Sequence, residues 1–192
     1  YLPQSAACNI HRATHSNTLA ATDSTLTPSA TDDLWVYVGT YTGSEAKGIH
    51  LLRFNPRTGT LTPAGLAGET RNPSFLALHP TGKWLYAVNE ISPAAGRQEG
   101  TITAFQVDHR SGTLTRLNER STGGANPCHV SIDATGRFAL VANYTGGSVA
   151  VLPIHSDGRL GESVSFIQHK GASVNPRRQE APHAHGIYPG PT

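Results

Sequence analysis

Residues 177–189, with the sequence RRQEAPHAHGIYP, gather the side chains of this chain that are best suited to acid–base chemistry. Two imidazoles, His183 and His185, follow Glu180, and the guanidinium of Arg178 precedes them. An imidazole near its ordinary pKa can accept and then donate a proton at neutral pH. Arginine binds oxyanions and phosphates through a planar fork of donors. Together these groups suit the attack of water on an ester, which needs a base and positive charge near the developing oxyanion.

The strands that would position these groups are indicated by a sequence repeat. The sequence NPSFLALHPTGKWLYAVNE at residues 72–90 matches NPCHVSIDATGRFALVANY at residues 126–144, and Pro182 opens a third copy 55 residues after Pro127. A second unit recurs as GIHLLRFNPRTGTLT, GTITAFQVDHRSGTLT and GSVAVLPIHSDGRLG. A period of roughly 50 residues with about four strands in each unit predicts the blades of an all-β propeller, with a solenoid of the same period as the alternative.

One face of the first strand in each copy changes character in the third copy. The residues that share this face are Ser74, Leu76 and Leu78, then Cys128, Val130 and Ile132, and then His183, His185 and Ile187. Because side chains two apart share a face, His185 stands where the other copies have Leu76 and Val130. An imidazole is costly to bury there unless it has a partner or faces water. This break in the pattern favours a functional role over histidines that merely line a wet channel mouth.

The composition excludes several classes of protein. The 192 residues carry a formal net charge of +2 without a run of lysine or arginine, so no nucleic-acid partner is indicated. No apolar stretch is long enough to cross a bilayer as a helix. Cys8 and Cys128 do not imply a disulfide framework and leave the redox compartment open. The 20 glycines and 13 prolines are typical of short strands joined by tight turns.

The beginning of the chain differs from the rest. Residues 1–33 are rich in serine, threonine and alanine and have no sustained hydrophobic period. Such a segment cannot bury enough apolar surface to offset the entropy lost on ordering. We therefore expect residues 1–33 to be a disordered leader or the remains of a processed export segment, and residues 34–192 to form the folded domain.

Three motifs, VYVGTYTG, NPCHVSIDATGRFALVANYTGGSVAVLPI and RRQEAPHAHGIYP, resemble the lactonase family of seven-bladed β-propellers, whose named activity is 6-phosphogluconolactonase. The resemblance covers residues 35–192 and implies that residues 34–192 are the N-terminal part of the propeller, about three of its seven blades. It implies hydrolysis of a small-molecule sugar lactone at the central channel. We expect this reaction to use no metal or other cofactor. It also implies a cytoplasmic location, whereas the leader favours export, and the oligomeric state stays open.

The family's motifs also suggest which residues carry the chemistry. The Arg-Gln-Glu…Pro-His-x-His motif falls on residues 178–185, and the Asn-Pro-x-His motif falls on residues 126–129. We predict His183 or His185 as the base, with their order left open. The other predicted site residues are Arg178 on the substrate's charge, Glu180 orienting an imidazole, and Gln179, His129 and Glu90 binding substrate. The resemblance also implies a further active-site arginine beyond residue 192.

The repeat also gives expectations for the positions of Glu90 and His129. Glu90 ends its copy where the next copy has Tyr144, and we expect it to face the channel, although an exposed loop carboxylate would fit equally well. His129 alternates with Cys128 and Val130, so we expect its ring to point away from the His183 face.

Two other functions remain open from the sequence. In a metal-dependent hydrolase, His183 and His185 would bind one ion, with Glu180 as the nearest third ligand. In a non-catalytic propeller, the same face would bind a protein partner, which the fold alone cannot exclude. Lactone hydrolysis measured with and without a chelator separates these two from a metal-independent lactonase.

Overall fold

The computed structural model describes residues 8–9, 33–92 and 99–190, and the side chains of all of these except the first pair. Every regular element in these ranges is a β-strand, so the all-β prediction is confirmed. No helix there has the length and apolar character that a membrane crossing requires. The predicted leader lies outside the described residues, apart from Asp33 and the two-residue strand Cys8–Asn9.

The strands form three four-stranded antiparallel sheets in chain order, each of which is one propeller blade. Blade 1 contains β1 Cys8–Asn9, β2 Leu34–Gly39, β3 Gly48–Asn55 and β4 Thr60–Glu69. Blade 2 contains β5 Pro73–Leu78, β6 Trp84–Asn89, β7 Thr101–Val107 and β8 Leu114–Ser121. Blade 3 contains β9 Pro127–Ile132, β10 Phe138–Asn143, β11 Ser148–Pro153 and β12 Ser165–Gln168. The repeat seen in the sequence therefore places β5 and β9 at equivalent positions.

The matching turns of the repeat explain why the blades have the same shape. Gly82 ends the β5–β6 turn with φ of 73°, and Gly136 ends the β9–β10 turn with φ of 72°. Glycine adopts this left-handed conformation without steric cost, whereas a side chain would strain it. His79, in the first turn, is buried, and its Nε2–H donates to the carbonyl of Gly136 at 2.9 Å. Its other nitrogen, Nδ1, accepts the backbone N–H of Thr81, so this ring joins blade 2 to blade 3.

Alternate side chains along a strand point to opposite faces of its sheet, and they fill the two cores that lie between neighbouring blades. Along β6, Leu85 and Ala87 pack into the core between blades 1 and 2, whereas Tyr86 and Val88 pack into the core between blades 2 and 3. Strands β5, β6 and β7 of blade 2 therefore bury residues on both faces, because the blade lies between two neighbours, whereas the outer strand β8 has no fully buried residue. The alternating apolar residues hold the blades face to face, with the inner strands along the channel.

The third copy of the inner strand begins at Pro182 and runs beside β9. Ser131 Oγ donates to the carbonyl of Ile187 at 2.7 Å, and the Cys128 thiol lies 3.5 Å from the carbonyl oxygen of Ala184. Residues 182–188 have no ladder of their own within the described chain, so they differ from β5 and β9 in pairing. They nevertheless lie where the next inner strand is expected, which brings the histidines to the channel.

Candidate active site

The candidate active site lies at the edge of the blades where the inner strands begin. Strand pairing joins Pro73 to Asn89 and Pro127 to Asn143, so the residues that follow β2, β6 and β10 reach the same edge. We call this region the rim. The rim consists of Tyr41 from blade 1, Glu90 from blade 2, Cys128 and Tyr144 from blade 3, and Glu180, His183 and His185 from the segment that follows.

His183 is the most constrained of the predicted catalytic residues. Its Nδ1 lies 3.1 Å from the carbonyl oxygen of Tyr144, and because a carbonyl only accepts, Nδ1 carries the hydrogen. Its ring stacks on the Tyr144 ring at a centroid distance of 4.7 Å and an angle of 18°. Its Nε2 lies 3.5 Å from Glu180 Oε1. In the neutral ring Nε2 is therefore an acceptor, and it can donate to Glu180 only when the ring is protonated. An orienting role for that carboxylate stays a prediction.

His185 is held less firmly than His183. Its side chain is exposed, and its ring lies nearly perpendicular to the Tyr144 ring, at a centroid distance of 5.4 Å and an angle of 84°. Leu76 and Val130, its counterparts in the repeat, are 4% and 2% exposed and belong to the two cores between blades. The third copy thus presents an imidazole to solvent where the first two copies bury an alkyl group.

Tyr144 is one of three rim residues, with Tyr41 and Cys128, that were not predicted from the sequence as site residues. Its ring contacts both predicted catalytic histidines, and its carbonyl fixes the hydrogen of His183 on Nδ1. The signal that could have found it is its place in the repeat, because Tyr144 occupies the position of Glu90, which was predicted. Both residues follow the second strand of their blades and therefore reach the rim.

Glu90 lies at the rim, where its neighbours are a tyrosine and a cysteine. Tyr41 donates its hydroxyl hydrogen to Glu90 Oε2 at 2.7 Å. Burial, followed by the charge of Glu90, raises the pKa of the Cys128 thiol to about 11. That thiol is therefore protonated at neutral pH, and Cys128 is not a nucleophile there. Its role is a small, half-buried contact with the backbone of the segment that carries the histidines.

His129 lies in the channel wall, enclosed by neighbouring inner segments. It is 3% exposed, and its ring lies 4.3 Å from that of Phe75 and 4.5 Å from that of Tyr188. Its Nδ1 accepts the backbone N–H of Ile187 at 3.3 Å, and its Nε2 has no hydrogen-bond partner among the described residues. Contact between His129 and substrate stays a prediction, because the ring is covered by Tyr188 in this conformation.

Arg178 and Gln179 lie in an exposed turn that precedes the rim. The backbone N–H groups of both residues donate to the carbonyl of Asn175, at 3.2 Å and 2.7 Å. Gln179 Oε1 accepts the backbone N–H of Asn175 at 3.1 Å, so this carboxamide helps to shape the turn. The guanidinium of Arg178 is exposed. Its predicted action on the substrate's charge, and that of Gln179 on substrate binding, remain predictions.

A cavity of about 890 Å³ extends along the channel wall away from the rim. Its lining includes Phe75, His129 and Tyr188, and it reaches the turn at residues 79–83. His129 is the one predicted site residue in this lining. The ionisable side chains that ester hydrolysis needs are at the rim instead. In the described part of the chain, no three His, Cys, Asp or Glu side chains are grouped so that they could hold a metal ion.

Comparison with known proteins decides the family to which the chain belongs. The family profile described as "Lactonase, 7-bladed beta-propeller" matches residues 35–192. The chain belongs to this family. The match confirms the resemblance carried by the motifs and the repeat, and it covers every strand from β3 to β12 together with the rim.

Three relatives illustrate the similarity. A 6-phosphogluconolactonase of Bacillus subtilis is 38% identical over 149 residues, covering 78% of this chain and 41% of the relative. A structure from Bacteroides fragilis has 41% identity and a TM-score of 0.74, covering 81% of this chain and 42% of that one. A periplasmic gluconolactonase of Pseudomonas aeruginosa has 33% identity and a TM-score of 0.73, covering 81% of this chain and 44% of that one. The chain spans about two fifths of the length of the curated relatives it matches.

The environment of His129 predicts that acid destabilises the fold. Burial first, and then the charge of His185, hold the pKa of the His129 imidazole below its ordinary value. Unfolding returns that pKa to about 6.5, so below this pH the unfolded chain binds more protons than the folded chain. We therefore expect the free energy of unfolding to decrease as the pH falls from about 7 to about 5, and to level off below the folded pKa.

Thermal melting at these two pH values, on wild type and on His129→Phe, measures the effect. Phenylalanine is the residue that the sister copy has at this position, Phe75, so the substitution is matched to the fold. The variant should lose less stability on acidification than wild type does. An equal loss in both proteins would show that other groups cause the acid sensitivity.

Proposed function

We propose that this chain contributes a large part of the active site of a sugar lactonase that opens its substrate by metal-independent attack of water. The observation that carries the proposal is the geometry of His183, whose tautomer is fixed by Tyr144 and whose Nε2 lies 3.5 Å from Glu180. A positioned imidazole between a carbonyl and a carboxylate is suited to general acid–base catalysis.

The reaction can be followed atom by atom at this histidine. His183 Nε2 takes a proton from water as the water oxygen bonds to the lactone carbonyl carbon, and the carbonyl oxygen becomes an oxyanion. Glu180 then stabilises the imidazolium that forms. When the tetrahedral intermediate collapses, the bond from the carbonyl carbon to the ring oxygen breaks. The ring oxygen takes the proton from Nε2, and the products are a free carboxyl group and a hydroxyl group on one open chain.

Other residues supply binding and charge. Arg178, two positions before Glu180, is the predicted partner for the oxyanion or for a phosphate on the substrate, because its fork of donors fits both groups. Its turn leads directly into the rim. His185 contacts the Tyr144 ring and is the second candidate for the base, and Glu90 is a candidate for substrate binding.

The names of the relatives support the substrate class. Named relatives include 6-phosphogluconolactonases from two organisms and a periplasmic gluconolactonase. All of these names denote a lactone of gluconate. We propose a sugar lactone of this kind as the substrate, without assigning a phosphate. Both a cytoplasmic and an exported location stay proposals, the first from the family and the second from the composition of residues 1–33.

The proposal is tested with the full-length protein. Acid release from glucono-δ-lactone and from its 6-phosphate is followed with a pH indicator, before and after treatment with a chelator, and is corrected for spontaneous hydrolysis. We expect hydrolysis above the spontaneous rate that the chelator leaves unchanged. Loss of activity on chelation, restored by a divalent cation, would favour the metal-dependent hydrolase. Absence of activity on both lactones would favour the non-catalytic binding module.

A further inference from the structure

A hydrogen bond between blades 1 and 2 occupies the part of the rim that the acid–base chemistry does not use. Tyr41 follows β2 and Glu90 follows β6, and the Tyr41 hydroxyl lies 2.7 Å from Glu90 Oε2. The backbone beneath this bond is also tied across the blades. Asn72 accepts the N–H of Thr42 at 2.9 Å through Oδ1, and its Nδ2 donates to the carbonyl of Glu90 at 3.1 Å. Two further bonds therefore hold both partners in place.

The direction of the hydrogen bond is fixed by the chemistry of its partners. Burial, followed by the hydrogen bond to Glu90, raises the pKa of the Tyr41 hydroxyl well above its ordinary value. Tyr41 is therefore the donor at neutral pH. Glu90 accepts this hydrogen on Oε2, and within the described residues its Oε1 is bound to no other group. Glu90 as a whole is only partly buried at the rim.

The carboxylate is adjacent to the segment that carries the catalytic histidines. The negative charge of Glu90 acts on the thiol of Cys128. The sulfur of Cys128 lies 3.5 Å from the carbonyl oxygen of Ala184 and 3.8 Å from that of His185. The rim is thus continuous from Tyr41 through Glu90 to the residues beside His183. A substrate whose ester carbonyl is at the histidines would extend its remaining atoms along this path.

We propose that Tyr41 and Glu90 recognise the hydroxyl groups of a polyhydroxy lactone, with Tyr41 as the residue that positions Glu90. An ionised carboxylate accepts hydrogen bonds only, and a substrate hydroxyl can supply one to Oε1. Bonds to a charged acceptor are stronger than neutral ones, so they discriminate well between a hydroxylated ligand and an unsubstituted ligand. This inference rests on the proposed function and adds the groups that make a sugar lactone preferred over a plain lactone.

The test compares two six-membered lactones in the full-length protein. Glucono-δ-lactone carries hydroxyl groups, and δ-valerolactone has the same ring without them. The measured quantity is the ratio of kcat/KM for the first lactone to kcat/KM for the second. In Tyr41→Phe we expect this ratio to fall by roughly 10-fold, mainly through a higher KM for glucono-δ-lactone, because Glu90 loses the donor that orients it. Glu90→Gln should lower the same ratio at least as much.

The matched control is Tyr86→Phe, which also removes a tyrosine hydroxyl oxygen, but from a buried position with a structural role. The buried Tyr86 hydroxyl donates to the carbonyl of Gly158 at 3.0 Å, far from the rim. This variant should lower the melting temperature and leave the ratio unchanged. If Tyr41→Phe reduces hydrolysis of both lactones equally, or of neither, the inference is wrong. If the wild-type protein hydrolyses neither lactone above the spontaneous rate, the proposed function fails, and this inference fails with it.

Discussion

His183→Asn in the full-length protein should lower kcat/KM for lactone hydrolysis by roughly 10²–10⁴-fold, the usual contribution of a positioned acid–base group. Asparagine is chosen because its Nδ2 can occupy the place of the imidazole Nδ1 and donate to the carbonyl of Tyr144, which His183 contacts at 3.1 Å. The amide has no basic nitrogen to replace Nε2. The variant therefore keeps the structural hydrogen bond and removes the proton acceptor.

Stability separates a catalytic role from a structural one. His183 is partly exposed, and the hydrogen bond to Tyr144 is retained in the variant, so the free energy of unfolding should change by less than about 1 kcal/mol. His183→Leu removes both the bond and the base, and it should lower activity equally but stability more. A His183→Asn protein that is as active as wild type would exclude His183 as the base.

His185→Leu determines which of the two imidazoles acts. Leucine is the residue that the first copy has at this position, Leu76, and the exposed ring of His185 contributes no packed volume. We expect the melting temperature to stay close to that of wild type and the loss of activity to be smaller than in His183→Asn, because no carbonyl or carboxylate fixes this ring. If His185→Leu causes the larger loss instead, the base is His185, and His183 orients it through Tyr144.

The blades could be predicted because each copy of the repeat contains its own turn and strand signals. The Thr-Gly turns at residues 81–82 and 135–136 set the same chain reversal twice, and the alternating residues on either side supply both faces of a blade. Local signals of this kind do not depend on distant parts of the chain. The period then fixed the equivalence of β5 and β9, which the structure shows.

The site could be predicted only in part, because its contacts join different blades. His185 stood out as a break in an apolar pattern, but nothing in the local sequence indicates that Tyr144, from the blade before, contacts both His185 and His183. In the same way, Tyr41 and Glu90 are 49 residues apart, and their hydrogen bond depends on how two blades pack. Strand alternation also predicted that His185 lies on the same face as Val130. In the structure His185 is exposed and Val130 is buried. Equivalent faces of two copies need not have the same elements packed against them.

Gly39→Ala should destabilise the fold by about 3 kcal/mol, the upper end of the usual cost of overpacking. Gly39 ends β2, and a methyl group there would lie 1.9 Å from the carbonyl oxygen of Pro73, the first residue of β5. Neither backbone can move away easily, since Gly39 pairs with Ile49 in blade 1 and Pro73 pairs with Asn89 in blade 2. Relief of the clash therefore requires the two blades to separate.

The same substitution at Gly43 is the control, since a methyl group there meets no atom within 4 Å and its φ is not left-handed. Gly43→Ala should change stability by no more than about 1 kcal/mol, in the stabilising direction, because alanine restricts the unfolded chain. Gly39→Ala should also reduce lactone hydrolysis, since Asn72, next to Pro73, donates to the carbonyl of Glu90. If Gly39→Ala melts at the wild-type temperature, then blades 1 and 2 are not in the close contact that brings Tyr41 to Glu90 at the rim.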